Sequence, residues 1–208
     1  AGYDIKQLFI VSEGTLGVIT RLTLRLREAP LTRAMAFVAV EEFEHVKALL
    51  RHMDRSLGGS LSAFETLWQN YYRLVTTSPA KGRPPVPQNH AFYVLIEAQG
   101  AHPELDQERF NNALEQAFDT GLVADAAIAQ SEADCDAFWA IRDDVEQGFH
   151  GGHPFIFDVS LPIDHMEAYT ETVKEGLKDT PAQHCWVFGH LGDGNLYVIV
   201  QVPSGSVE

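Results

Sequence analysis

Residues 186–197 read WVFGHLGDGNLY. An apolar segment runs into Gly189-His190-Leu191-Gly192-Asp193-Gly194-Asn195 and then into a second apolar segment. Glycine lets a backbone turn sharply and lets other groups approach it closely. A polar cluster at the mouth of two buried strands must find partners, because buried polar groups are almost always hydrogen-bonded. Two readings are open at this point. In one, the stretch is a hairpin with Asp193-Gly194 as its tight turn. In the other, it is a site in which His190 and Asn195 face a ligand.

The rest of the chain alternates strand and helix. Val18–Arg27 alternates cleanly, with Val18, Thr20, Leu22, Leu24 and Leu26 on one side, and predicts a half-buried strand. Glu28-Ala29-Pro30 breaks it and marks a domain boundary. Beyond it come a strand at 34–40, a helix at 41–57 stopped by Gly58-Gly59, a strand at 61–65 and a helix at 66–77. A proline-rich loop follows at 78–89. The pattern then restarts: a strand at 91–98, a helix at 103–120 with Pro at its first turn, and a strand at 122–129. Ser131-Glu132-Ala133-Asp134 reads as a capping box opening a helix to about Gly148. A strand at 155–161, a helix at 163–178 and the hairpin at 185–202 complete the chain. The expected fold is therefore α+β: a ferredoxin-like, duplicated antiparallel sheet with helices packed on one face.

The 208 residues carry 29 acidic and 15 basic side chains, a net charge of −14. That charge argues against nucleic acid or an anionic membrane as a partner. It also means that an anionic substrate needs a local cation. No apolar run is long enough to cross a membrane, and the opening residues lack the features of a signal peptide. The chain opens without Met, which predicts a piece of a longer protein. Cys135 and Cys185 show no CxxC spacing and read as buried free thiols in a reducing, cytoplasmic setting. The nine histidines include no HxH or HExxH spacing, so a histidine-based metal hydrolase is a weak reading.

A second dense motif, LFIVSEGTLGVIT at 8–20, offers backbone N–H groups and a hydroxyl near two glycines. By spacing alone it is a turn before a strand. Together with FWAIRDDV, FDVSLP and GHLGDGNLY in this order, it resembles the FAD-linked oxidases of the vanillyl-alcohol oxidase type. More narrowly, it resembles the C-terminal substrate domain of the D-2-hydroxy acid dehydrogenases, which include D-lactate, glycolate and D-2-hydroxyglutarate dehydrogenases.

The resemblance implies residues 1–29 as the closing edge of an FAD domain and 30–208 as the C-terminal substrate domain, truncated at its end. Glu13, Gly14, Thr15, Gly17 and Ile19 match positions that line FAD. Arg142 matches the arginine that holds the substrate carboxylate, a task that suits its planar fork. Without the resemblance, Arg142 reads as a surface ion pair with Asp143 or Glu146. His190 matches a histidine near the substrate hydroxyl that serves as base or metal ligand. Asn195 matches a polar substrate contact, though a turn residue is an equal reading.

The sequence departs from the family in places. Metal-binding relatives carry a second histidine where Tyr197 stands, and a phenol with a pKa of about 10 is a poor zinc ligand. Tyr197 is either a hydroxyl donor to substrate or an apolar body with a polar tip. Glu208 is not the acidic ligand of those relatives, since no His-Gly follows it. A divalent metal such as zinc, held by His190, therefore has an incomplete ligand set. Ile156 stands where the 2-hydroxyglutarate enzymes have a lysine, so a second carboxylate finds no partner there. The implied function is oxidation of a small D-2-hydroxy acid by hydride transfer to FAD. The implied partners are the hydroxy acid, an electron acceptor and a second copy in a homodimer. The alternative is a non-catalytic α+β ligand-binding module or a degenerate paralogue.

Overall fold

A computed structural model describes residues 2–10, 12 and 14–205. Among the described residues there are seven strands and five α-helices. In chain order they are β1 (Thr32–Val40), α1 (Phe43–Leu57), β2 (Leu61–Trp68), α2 (Gln69–Thr76), β3 (Phe92–Gly100), α3 (Pro103–Asp119), β4 (Asp125–Ile128), α4 (Glu132–Asp143), β5 (His153–Ser160), α5 (Met166–Leu177), β6 (His184–His190) and β7 (Asn195–Val202).

One antiparallel sheet holds all seven strands in the order β4-β1-β3-β2-β6-β7-β5. The first four form a ferredoxin-like unit. In the second unit, β5, β6 and β7 repeat the places of β1, β2 and β3, so the expected duplication is present. The units meet where β2 pairs with β6, through Glu65↔His190, Thr66↔Gly189 and Leu67↔Phe188. The polar hairpin thus ends up at the seam between the two halves.

The α+β class and the antiparallel sheet match the sequence reading, but the placing of helices on one face does not. Helices α1, α3 and α5 cover one face, the first two over Ala34, Ala36 and Val38 of β1. Helices α2 and α4 cover the other, over Met35, Phe37 and Ala39. Strand β1 is therefore buried on both sides, and its continuous apolar run MAFVAV reflects this.

Two further expectations change. Residues 18–27 are exposed, form no regular element and pair with no strand among the described residues. Alternation specifies a face; it does not supply a neighbour. The helix expected from 131 to about 148 stops at Asp143, and Val145–Phe149 forms a separate 3-10 turn. Its start is as expected: Ser131 Oγ accepts from the Asp134 N–H, and its own hydroxyl donates to Asp134 Oδ2 at 2.8 Å. Cys135 and Cys185 are both free thiols, and burial pushes both upward in pKa, away from reactivity.

Candidate functional site

The hairpin joining β6 to β7 combines the two readings of its sequence. It is not a two-residue turn: Leu191–Asp193 form a 3-10 turn, and Gly194 closes it at φ +79°. Gly189 is required for a different reason. A Cβ there would lie 2.3 Å from the Asn195 carbonyl oxygen and 2.8 Å from the Leu196 Cα. Only glycine lets β7 run this close, and that approach fixes where His190 and Asn195 sit. The left-handed position is Gly194, so Asn195 is free to open β7.

Strand parity carries the polar residues to one face. Leu67, Phe188, Tyr197 and Ile199 belong to the core under α2 and α4. Glu65, His190 and Asn195 lie two residues from them and share that face. Asn195 pairs with Ser160 of β5, whose hydroxyl donates to Asn195 Oδ1 at 3.0 Å. A polar row therefore crosses β2, β6, β7 and β5: Glu65, His190, Asn195 and Ser160.

Arg142, at the end of α4, comes down onto this row. Tyr71, Phe188 and Tyr197 stack in sequence beneath it, at centroid distances of 4.1 and 5.2 Å. The guanidinium lies 5.4 Å from the centre of the Phe188 ring. The Tyr71 hydroxyl donates to the Arg142 carbonyl at 3.2 Å and so pins the helix end. Burial pushes the Tyr71 phenol well above its usual range and keeps it a neutral donor.

Glu65 joins the two functional candidates. Its Oε2 accepts from Arg142 Nε at 2.9 Å, and its Oε1 accepts from His190 Nδ1 at 2.6 Å. Arg142 Nη2 lies 2.9 Å from His190 Nε2. The same Nη2 is 3.5 Å from Nδ1, so the guanidinium lies over the imidazole face; since a carboxylate here only accepts, the Glu65 contact assigns a proton to Nδ1. The Glu65 side chain is only 5% exposed and that of Arg142 12%. Burial works against the charge on Arg142, but Glu65 and Asp143 outweigh it and hold the guanidinium above its ordinary range. Arg142 does pair with Asp143, as its surface reading had it, but Glu65 is its buried partner.

Glu65 is absent from the sequence candidates. The signal was one acidic residue inside the apolar segment AFETLW, since a buried carboxylate demands a partner. Its partners lie 77 and 125 residues away, beyond any local pattern.

Beside His190 a cleft of about 530 Å³ opens along the edge of β2, lined by Arg51, Ser62, Phe64, Glu65, His190 and Asp193. A small ligand fits such a volume. Tyr197 meets the His190 ring edge-on at 5.7 Å.

The expected metal ligands do not assemble. Among the described residues no three His, Cys, Asp or Glu side chains converge. Tyr197 stands beside His190, and the cation of Arg142 lies over the imidazole, 2.9 Å from Nε2. This donor set does not fit a divalent metal.

The residues expected on FAD lie apart from this cluster, on the N-terminal arm. Glu13 falls outside the described residues. Gly14, with φ +76°, and Gly17, with φ +157°, form an exposed turn in which the Thr15 hydroxyl donates to the Ser12 carbonyl. A Cβ at Gly14 would meet nothing within 4 Å. Ile19 is 55% exposed. Open backbone, a small hydroxyl residue and an exposed aliphatic fit one edge of a planar cofactor site.

A family model described as FAD linked oxidases, C-terminal domain, matches residues 29–207. The D-2-hydroxyglutarate dehydrogenase of Bos taurus mitochondria is 38% identical over 200 residues, covering 96% of this chain and 36% of that protein. A mitochondrial D-lactate dehydrogenase candidate of Schizosaccharomyces pombe is 33% identical over 213 residues, 97% of this chain and 40% of that protein. The chain thus spans well under half the length of the curated relatives it matches. Among solved structures, an alkyldihydroxyacetonephosphate synthase superposes with a TM-score of 0.66 at 14% identity, over 99% of this chain and 41% of that one. A p-cresol methylhydroxylase does so with a TM-score of 0.55 at 7% identity, over 84% of this chain and 39% of that one. These two likenesses bear on the fold alone.

Proposed function

The chain belongs to the family of FAD linked oxidase C-terminal domains, and from that premise we propose that it is the substrate domain of a flavin-dependent D-2-hydroxy acid dehydrogenase. The observation that carries this reading is the contact of Arg142 Nη2 with His190 Nε2 at 2.9 Å. A 2-hydroxy acid holds its carboxylate and hydroxyl on adjacent carbons. A cationic fork beside an imidazole lone pair matches that pair of groups. Arg142 holds the carboxylate through charge-assisted hydrogen bonds. His190, oriented by Glu65, takes the hydroxyl proton at Nε2. Asn195 supplies a further polar contact, and Tyr197 a wall beside the imidazole.

Residues 1–29 are read as the closing edge of the FAD domain, and 30–208 as the substrate domain. Gly14, Thr15, Gly17 and Ile19 would line the cofactor, together with Glu13 from the sequence match. When bound, FAD supplies a two-electron hydride acceptor that no side chain provides. An electron acceptor completes turnover. The arm is one edge of a cofactor site, so the isolated chain retains no flavin. A purified 208-residue chain that stays yellow with stoichiometric flavin contradicts that expectation.

The favoured substrates lack a second carboxylate. Ile156 is 50% exposed, lies on the same face as Tyr197 and stands opposite Ile199. It offers an apolar surface to the substrate tail. The test is anaerobic flavin bleaching in the full-length flavoprotein, with D-lactate, other apolar D-2-hydroxy acids and D-2-hydroxyglutarate. Bleaching by the monocarboxylic acids is expected. Bleaching by none of the panel rejects the function, and bleaching by D-2-hydroxyglutarate alone rejects the substrate class.

A further inference from the structure

Arg142 is aimed by α4, and few apolar contacts hold α4 to the sheet. Its buried side chains are Cys135, Phe138 and Ile141. Apolar contact is non-directional, so it fixes the rotation and slide of a helix less tightly than hydrogen-bonded ion pairs do. The ion pairs of α4 to the sheet lie toward its two ends. At the C-terminal end, Arg142 reaches down to the buried Glu65 of β2 at 2.9 Å. Toward the N-terminal end the polarity is reversed. Arg33 of β1 reaches up from the sheet, and its Nη1 donates to Asp136 Oδ1 at 3.0 Å and to Glu132 Oε2 at 3.3 Å. Glu132 and Asp136 stand at i and i+4 and share one face of the helix.

Arg33 is itself held from below. Its Nε donates to Glu97 Oε1 at 2.5 Å, and the Ser62 hydroxyl donates to Glu97 Oε2 at 3.1 Å. Glu97 is 4% exposed and stands inside the apolar strand FYVLIEAQG, as Glu65 stands inside AFETLW. Both acids lie on the sheet face covered by α2 and α4, Glu97 opposite Met35 and Glu65 opposite Leu95. Ser62 is the extra residue where the β2–β3 register shifts, and this bulge turns its hydroxyl to Glu97. Burial works against the charge on Arg33, but Glu97, Asp136 and Glu132 outweigh it and hold the guanidinium above its ordinary range. An isolated exposed ion pair contributes little, but a cation shared by one buried and two exposed carboxylates is a network.

We propose that Arg33 is a positioning residue for the carboxylate site: by tying Glu132 and Asp136 to the sheet, it sets the rotation and axial place of α4 and with them the aim of the Arg142 fork. This rests on Arg142 being the carboxylate clamp. Asp136 and Arg142 stand about 9 Å apart along the helix axis and about a third of a turn apart around it. Two anchors so placed fix both slide and rotation, which one anchor cannot. Arg33 acts through the helix and not on the substrate.

The experiment removes the helix side of the anchor and leaves the buried Arg33–Glu97 pair intact. The double variant Glu132→Gln, Asp136→Asn changes two side chains that are each 75% exposed, so the fold is expected to persist. One readout is the ¹H–¹⁵N signal of the Arg142 Nε–H in the labelled 208-residue chain. The other is KM and kcat for D-lactate in the full-length flavoprotein. The Arg142 signal is expected to move. KM is expected to rise about three- to ten-fold with kcat within about two-fold, because a misaimed clamp weakens carboxylate binding and leaves His190 in place. Arg33→Lys keeps a charge beside Glu97 without the fork, and is expected to act in the same way. An unmoved Arg142 signal overturns the proposal whatever the thermal midpoint does, since a purely structural Arg33 affects stability alone. A moved signal with an unchanged KM overturns the clamp reading of Arg142, on which the proposal rests.

Discussion

Nδ1 of His190 and Oε1 of Glu65 lie 2.6 Å apart across β6 and β2, at the register point where the two halves of the sheet join. The same carboxylate holds Arg142 through its other oxygen. One buried acid therefore sets the tautomer of the imidazole and the position of the guanidinium. Removing its charge leaves Arg142 with only the exposed carboxylate of Asp143. Glu65→Gln is expected to destabilise the chain by about 3 kcal/mol, as expected for a broken buried pair. Urea denaturation measures this, and a loss under about 1 kcal/mol would mean that the pair is not the anchor described here.

Gly189 makes a second test, independent of charge. Its missing Cβ would collide with the backbone of β7, not with a side chain that could rotate away. Gly189→Ala is expected to cost about 1–3 kcal/mol through overpacking. It should also shift the amide signals of Asn195 and Leu196. A variant as stable as the parent, with those signals unmoved, would show that the hairpin tolerates a wider spacing.

Much of this was legible in the sequence, and the gaps have physical causes. His190 and Asn195 stood out because glycines surround them, and Arg142 stood out through the FWAIRDDV resemblance. Glu65 was hidden because its meaning lies in partners on β6 and α4, brought near only by the sheet order. The duplication showed in the order of elements. The second helical layer was missed although MAFVAV carried the signal: a run with no polar alternation needs cover on both sides. The arm at 18–27 shows the converse, since its alternating pattern specifies a strand whose neighbour is not among the described residues.

Acid should loosen the chain in a defined window. Asp134 is held below its usual value of 3.8 by hydrogen bonds from Ser131 and from the Gln130 N–H at the start of α4. Asp106 is lowered by the His102 N–H and by Thr32, and Asp164 by Lys47. Depressed carboxylates contribute stability that is fully present above 3.8 and is lost as pH falls through the lower folded values. The thermal midpoint is expected to fall below pH 4, and Asp134→Asn to flatten that fall. A midpoint independent of pH in this range would show that these contacts do not persist in solution.

The account turns on Arg142 reading a carboxylate with its fork. Arg142→Lys keeps the charge beside Glu65 and removes the bidentate edge. The direct measurement is kcat/KM for flavin reduction by D-lactate in the full-length flavoprotein and in this variant, alongside the thermal midpoint of each. The predicted result is a loss of roughly ten- to a hundred-fold in kcat/KM, the size of a hydrogen bond to a charged group, with the midpoint close to that of the parent. An unchanged kcat/KM in a folded variant would contradict the assignment of this site.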